Sequence, residues 1–180
     1  MQKRLAELEQ EKHISALPPV TVGGAVVIPR GLLDKLMGRP ALFGADAAAR
    51  RRIELAAMKA VMGIEASFGF APTDVSAQNK GYDVESKIPA ELRDADGTTL
   101  RFIEVKGRAK GATSVTVTKN EILTALNEPE QFILAIVEVD GDATHTIYLK
   151  KPFHKQPDFA ATSVNYDIAD LIGSAEIIYE

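Results

Sequence analysis

Two short segments hold the residue types that could do chemistry. Gly81-Tyr82-Asp83-Val84-Glu85-Ser86 carries an acid, and Leu100-Arg101-Phe102-Ile103-Glu104-Val105-Lys106-Gly107-Arg108 carries an acid-x-lysine pair. In a strand alternate side chains share a face, so Glu104 and Lys106 project one way while Ile103 and Val105 project the other, into a core. Asp94-Ala95-Asp96-Gly97 reads as the hairpin turn between the segments, because Asp-Gly favours positive backbone dihedrals. If the strands pair, Asp83 lies across the ladder near Glu104 and Lys106. Two carboxylates and a lysine suit metal-dependent cleavage of a phosphodiester. The acids offer hard oxygen ligands to Mg²⁺ or Mn²⁺, and the lysine orients or deprotonates the attacking water. The competing reading of Glu-x-Lys on a strand is a surface ion pair of little energetic value.

Composition narrows the choice. A chain of 180 residues, 46% hydrophobic and 26% charged, can bury the core of one ordinary domain with room for an N-terminal extension. Zero cysteines exclude disulfides and thiol-based metal or catalytic sites, and His13, His145 and His154 lack metal-ligand spacing. Any metal must be held mainly by oxygen. No apolar run approaches a membrane span and Met1-Gln2-Lys3-Arg4-Leu5 is no signal peptide, so the expected partners exclude a membrane and the expected location is cytoplasmic. The net charge of −4 argues against a domain coated in basic surface. Charge is uneven, however: Arg101, Lys106, Arg108, Lys110 and Lys119 stand against the single acid Glu104 between residues 101 and 119, a basic lip suited to a phosphate-bearing substrate.

The elements that must position these residues can be read in outline. Residues 2–16 form a polar helix with a thin apolar stripe, stopped by Leu17-Pro18-Pro19. Residues 20–28 read as a hairpin turning at Gly23-Gly24, followed by a short helix from Leu32 to Met37; Gly23-Gly24 lacks the ending of a phosphate loop. Asp46 is the expected cap of a long helix reaching Phe68, with Gly69 as its stop and Ile53, Ala57, Ala60, Val61, Ile64 and Phe68 as its apolar stripe. Glu65 interrupts that stripe, and an acid there needs a partner: a metal, Lys106 or an arginine. Arg50-Arg51-Arg52 could reach a phosphate, although a solvated helix face is the favoured reading. Ser114 to Thr118 alternates as a strand and runs into Thr118-Lys119-Asn120-Glu121, a capping box opening a helix through Leu126. That helix N-terminus, with Lys119 and Asn120, could meet a phosphate. Residues 132–139 read as a central strand covered on both faces, turned by Gly141-Asp142 into a strand from His145. The C-terminal stretch reads as covering structure and edge strands.

This succession resembles the PD-(D/E)XK nuclease superfamily. The fold it implies is α/β, a restriction-endonuclease-like αβββαβ core with a mixed central sheet flanked by helices. More narrowly, Val61-Met62-Gly63-Ile64-Glu65, Gly81-Tyr82-Asp83-Val84-Glu85-Ser86, Ile103-Glu104-Val105-Lys106-Gly107-Arg108 and Thr118-Lys119-Asn120-Glu121 look like the No Vein C-terminal domain family. The resemblance implies that Asp83 and Glu104 bind the metal, that Lys106 serves the attacking water, and that Glu65 is an accessory ligand. Gly81-Tyr82 stands where the superfamily name has a proline before the aspartate. In bacteria such a module is often appended to large helicase-like proteins, some of them in defence systems. A helicase domain in cis or in trans is therefore the implied partner. The expected division is 1–44 as a connector with its hairpin and short helix, and 45–180 as the nuclease-like domain, the whole being a fragment of a longer protein.

The leading functional expectation is a Mg²⁺-dependent nuclease acting on nucleic acid, DNA in preference to RNA. A second is a non-catalytic nucleic-acid-binding module of the same fold, holding a strand with Arg108, Lys110, Lys119 and Asn120. A third is a protein-interaction domain that self-associates as a homodimer through its apolar N-terminal hairpin.

Overall fold

A computed structural model describes residues 43–93 and 97–180 continuously, with a few isolated positions nearer the N-terminus. The expected N-terminal helix and hairpin lie outside the described residues save for isolated positions, as does the Asp94-Ala95-Asp96 turn; of the expected short helix Leu33 and Leu36 are described, both helical, and the Met37 N–H donates to the Leu33 carbonyl at 2.9 Å. Within the compact unit Phe43–Glu180 the chain opens on a 25-residue helix, α1 (Phe43–Ser67), three residues earlier than the expected cap. It ends at Gly69, whose φ of +80° is the left-handed stop that a glycine accepts without penalty.

The strands are β1 (Ala71–Asp74), β2 (Val84–Lys87), β3 (Leu100–Ala109), β4 (Ser114–Thr118), β5 (Phe132–Asp140), β6 (Ala143–Lys150), β7 (Ser163–Asp167) and β8 (Glu176–Tyr179). Helix α2 (Lys119–Asn127) follows β4, and α3 (Ile168–Ser174) follows β7. Six strands make one sheet in the order β1-β2-β3-β5-β6-β8, in which β3 and β5 run parallel and the other neighbours antiparallel. The fold is therefore α/β, with a mixed central sheet flanked by helices. The expected αβββαβ order is present, with one change of part. The third strand before α2 in the main sheet comes from β1, which the sequence reading did not foresee, while β4 leaves that sheet and pairs with β7.

Side-chain alternation along β3 and β5 separates two cores. On one face Val84, Ile103, Ile133, Ala135, Val137 and Tyr148 pack against Ala57 and Val61 of α1. On the other, Phe132, Leu134 and Ile136 pack against Val115, Val117, Ile122 and Ala125 from β4 and α2, with Leu171 of α3. β5, with its apolar run between β3 and β6, is buried on both faces as expected. Gly107 sets how close α1 can come: a Cβ there would stand 2.9 Å from Ala57 Cβ and 3.0 Å from the Ile53 carbonyl oxygen. Among the described residues no helix is long and apolar enough to cross a membrane.

Candidate active site

The site forms where β2 stops accompanying β3. The two strands pair from Lys87↔Leu100 to Val84↔Ile103, so β3 from Glu104 onward has no neighbour on that edge. Asp83, one residue beyond the ladder, occupies the gap. Its N–H donates to the Ile103 carbonyl at 3.0 Å, and its Oδ2 accepts from the Val105 N–H at 3.1 Å, in place of the next ladder carbonyl. Two features hold the Asp83 segment there. Gly81 has φ +85°, and a Cβ on it would fall 2.2 Å from Thr124 Oγ1 and 3.2 Å from Asn120 Nδ2 of α2, an approach that only glycine permits. Tyr82 stacks on Phe102 with ring centroids 4.6 Å apart.

Glu104 and Lys106 share a face of β3, as alternation requires, and the Lys106 Nζ donates to Glu104 Oε1 at 2.7 Å. The same ammonium donates to Glu121 Oε2 at 2.6 Å. Glu121 also completes the predicted capping box, accepting from the Thr118 N–H at 3.0 Å while its own N–H donates to Thr118 Oγ1 at 3.4 Å. Asp83, Glu104 and Lys106 border a cleft of about 490 Å³ whose walls also include Asp74, Arg108 and, from α1, Glu54. A larger recess of about 720 Å³ lies between α1 and the β5–β6 turn, but its charged side chains are all exposed and nothing in it is chemically poised.

The charges in the cleft are out of balance. Burial pushes the Glu104 carboxyl up to about 8, a rise that Lys106 opposes and that Asp83 and Glu121 reinforce. Asp83 is raised too, chiefly by burial; the Val105 N–H and Lys106 pull it back, while Glu121 and Asp74 push it further up. Burial acts against the Lys106 ammonium, yet Glu104 and Glu121 outweigh it and the lysine is held more firmly protonated than usual. Lys106 thus pairs with buried Glu104 and half-buried Glu121, with Asp83 beside them, a set of acids that could accept another positive charge. Among the described residues no three His, Asp or Glu side chains form a ready-made metal cage. Mg²⁺, however, is commonly held by one or two carboxylates with water and substrate phosphate completing its shell. Asp83 and Glu104 meet that requirement.

Glu65 is not brought to this site, and that corrects the expectation of an accessory ligand. It is fully buried on the opposite face of the sheet, where Oε1 lies 3.5 Å from the Arg101 Nη1. Its neighbours Ser86 Oγ and Tyr148 Oη are buried with it, and none of these oxygens completes a hydrogen bond. Burial raises the Glu65 pKa, with Arg101 as the main opposing influence. The arginine is the partner that the sequence left open among three.

The acid that α1 does bring to the cleft is Glu54, which the sequence reading missed. It stands 11 residues before Glu65, about three helical turns, hence on nearly the same helical face but some 16 Å away along the axis. Periodicity gave the right face and could not give the level. Glu121 was read only as a cap, and its reach to Lys106 depends on how α2 docks.

The four nucleic-acid candidates are dispersed. Arg108 lines the cleft, with Nη1 donating to the Gly107 carbonyl at 2.7 Å and Nε to the Ser114 carbonyl at 3.2 Å. Lys110 pairs with Asp140 at 2.7 Å in an exposed contact beyond the end of β3. Lys119 donates to the Phe159 carbonyl at 2.8 Å and lies 5.2 Å from that ring's centroid. Asn120 is exposed in the first turn of α2.

An α/β domain with a clefted sheet edge and an Asp, Glu-x-Lys constellation is the class that the fold and site define. The family model of the C-terminal part of Protein NO VEIN matches residues 53–149, more than half of the chain and all of the constellation, and the chain belongs to that family. No curated protein and no solved structure matches it.

Proposed function

We propose that residues 43–180 are a divalent-metal-dependent nuclease module that hydrolyses phosphodiester bonds in DNA, fed by a helicase domain in cis or in trans. The observation that carries this reading is the convergence of Asp83, Glu104 and Lys106 at the one stretch of β3 edge left uncovered. Asp83 and Glu104 would hold the metal, which when bound supplies Lewis-acid polarisation of the scissile phosphate. Asp83 is oriented for that task by the Val105 N–H, which fixes one carboxylate oxygen. Lys106 presents a protonated ammonium at the cleft wall, where it can orient the attacking water and offset charge on the phosphate. Arg108 supplies a second cation on the same wall. Glu54, on the α1 side, faces the cleft as a further acid.

The test is cleavage of supercoiled plasmid and labelled single-stranded DNA in Mg²⁺ and in Mn²⁺, with Asp83→Ala and Lys106→Ala beside the wild type. Cleavage by the wild type that both substitutions remove supports the reading. Cleavage that survives both contradicts it. Salt-sensitive binding with no cleavage, indifferent to metal and weakened by Arg108→Ala, would replace it with a binding module of the same fold.

A further inference from the structure

Helix α2 does more than cover the sheet, because its first turns touch both halves of the constellation. Asn120 and Thr124 back Gly81 and so set the segment that carries Asp83, while Glu121 reaches Lys106. Lysine is the residue most in need of such support. Its ammonium rides on a flexible four-carbon stem, carries three donors and has no preferred plane, unlike an arginine fork. In this structure Glu104 Oε1 and Glu121 Oε2 take it from two sides, at 2.7 and 2.6 Å.

The two acids are not equivalent holders. Glu104 is one of the two carboxylates assigned above to the metal, so its oxygen is contested as soon as a cation enters the cleft. Glu121 is not contested. Its Oε2 is fixed by the Thr118 N–H and its backbone N–H by Thr118 Oγ1, a reciprocal pair that locks the side chain at the third position of α2. Its side chain is 14% exposed and that of Lys106 13%, so the contact between them is shielded from competing water.

We propose that Glu121 is the positioning residue of Lys106, holding the ammonium in the cleft when Glu104 is engaged elsewhere. The inference rests on the nuclease reading for its purpose, but the geometry it asserts is independent of turnover. An N-terminal capping residue of α2 thereby becomes part of the site, and the helix supplies rigidity that the edge of β3 lacks.

Capping alone would leave different traces, and Thr118→Ala separates the two roles. That substitution removes the acceptor for the Glu121 N–H and lowers the thermal midpoint modestly, yet it leaves the Thr118 N–H that holds the carboxylate facing Lys106. Glu121→Ala removes both. Glu121→Gln keeps an acceptor for the cap and only a neutral acceptor for the ammonium. The direct readout is the ¹H–¹⁵N correlation spectrum of lysine ammonium groups in the ¹⁵N-labelled protein, with and without Mg²⁺. The Lys106 signal is assigned by its loss in Lys106→Ala.

The expected result is a protected Lys106 signal in the wild type and in Thr118→Ala under both conditions. In Glu121→Ala it disappears when Mg²⁺ is added, and in Glu121→Gln it is weakened. Where cleavage is measurable, Glu121→Ala lowers kcat on the order of 100-fold with KM little changed, and Thr118→Ala leaves both alone. A wild type with no protected signal, or a Glu121→Ala variant whose signal persists in Mg²⁺, overturns the proposal. A wild type that cleaves nothing overturns the nuclease reading alone, since the ammonium spectrum still decides where Lys106 is held.

Discussion

Two acid–base groupings draw on the same strand, three residues apart, and they differ in their balance of charge. On the α1 face Arg101 meets a single acid, Glu65, and is enclosed by aromatic rings: its guanidinium carbon lies 5.7, 5.4 and 5.6 Å from the centroids of Phe68, Phe70 and Tyr148. At the uncovered edge Lys106 meets Glu104 and Glu121, with Asp83 alongside, and all of them border or adjoin an open cleft. The first grouping is one charge against one charge, with Arg101 also lining a recess of about 570 Å³. The second has acids in excess of cations. Burial by itself therefore does not mark a site: Glu65 and Glu104 are both buried, yet the first faces one cation and no second acid, whereas the second shares its cation with Glu121 and stands beside Asp83.

The largest effect that should separate the two regions comes from breaking the closed pair. Arg101→Ala leaves Glu65 buried without a cation and is expected to cost about 3–5 kcal/mol, read as a lowered denaturation midpoint. Lys106→Ala, although it also removes a paired base, should cost less, because Glu104 borders the cleft and Glu121 keeps its hydrogen bond from the Thr118 N–H. Equal losses in chemical denaturation would erase the distinction drawn between the two groupings.

pH sharpens the contrast next. Glu104 has a folded-state pKa raised from the ordinary 4.5 to about 8, so the stability linked to its proton is fully present below about pH 4.5 and is lost as pH rises through 8. Asp83 and Glu65 are raised as well and act in the same direction. Glu104→Gln removes its share of that slope, on the order of 5 kcal/mol across the window. Thermal melts of the wild type and Glu104→Gln from pH 4.5 to 8.5 should converge at the acid end and diverge at the alkaline end, with the glutamine variant the more stable. Mg²⁺, by favouring ionised Glu104, should narrow the gap.

A smaller effect belongs to Gly81→Ala. Its φ of +85° and the 2.2 Å approach to Thr124 Oγ1 force the Asp83 segment off α2, at about 1–3 kcal/mol. The variant's spectrum should show its shifts concentrated at residues 81–85 and 105. The smallest effect is expected at Lys110→Ala, since Lys110 and Asp140 are both largely exposed: within about 0.5 kcal/mol in denaturation.

How much of this was legible in the sequence varies with the range of the interaction. The capping box at Thr118 and Glu121, the Gly69 stop, the buried run of β5 and the shared face of Glu104 and Lys106 are local, and period or turn chemistry discloses them. The pairing of Asp83 with the Val105 N–H needed only the correct register of two consecutive strands. What local reading could not disclose depends on docking. β1 is four residues of mixed polarity, Ala71-Pro72-Thr73-Asp74, with no alternation to betray it. β4 alternates well but leaves the main sheet to find β7, almost fifty residues later in the chain. Glu65 and Glu54 share a helical face, so only the angle at which α1 crosses the sheet, set at Gly107, decides which acid overlooks the cleft.

The central claim, that chemistry resides at the open edge and architecture at the closed face, is tested most directly by one cleavage assay on three proteins. The wild type, Asp83→Asn and Glu65→Gln are compared on labelled DNA in Mg²⁺ and Mn²⁺, each checked for folding by its thermal midpoint. The account predicts that Asp83→Asn keeps its fold and loses cleavage, while Glu65→Gln keeps cleavage per folded molecule. Cleavage that survives in Asp83→Asn, or that vanishes in a folded Glu65→Gln, would contradict it.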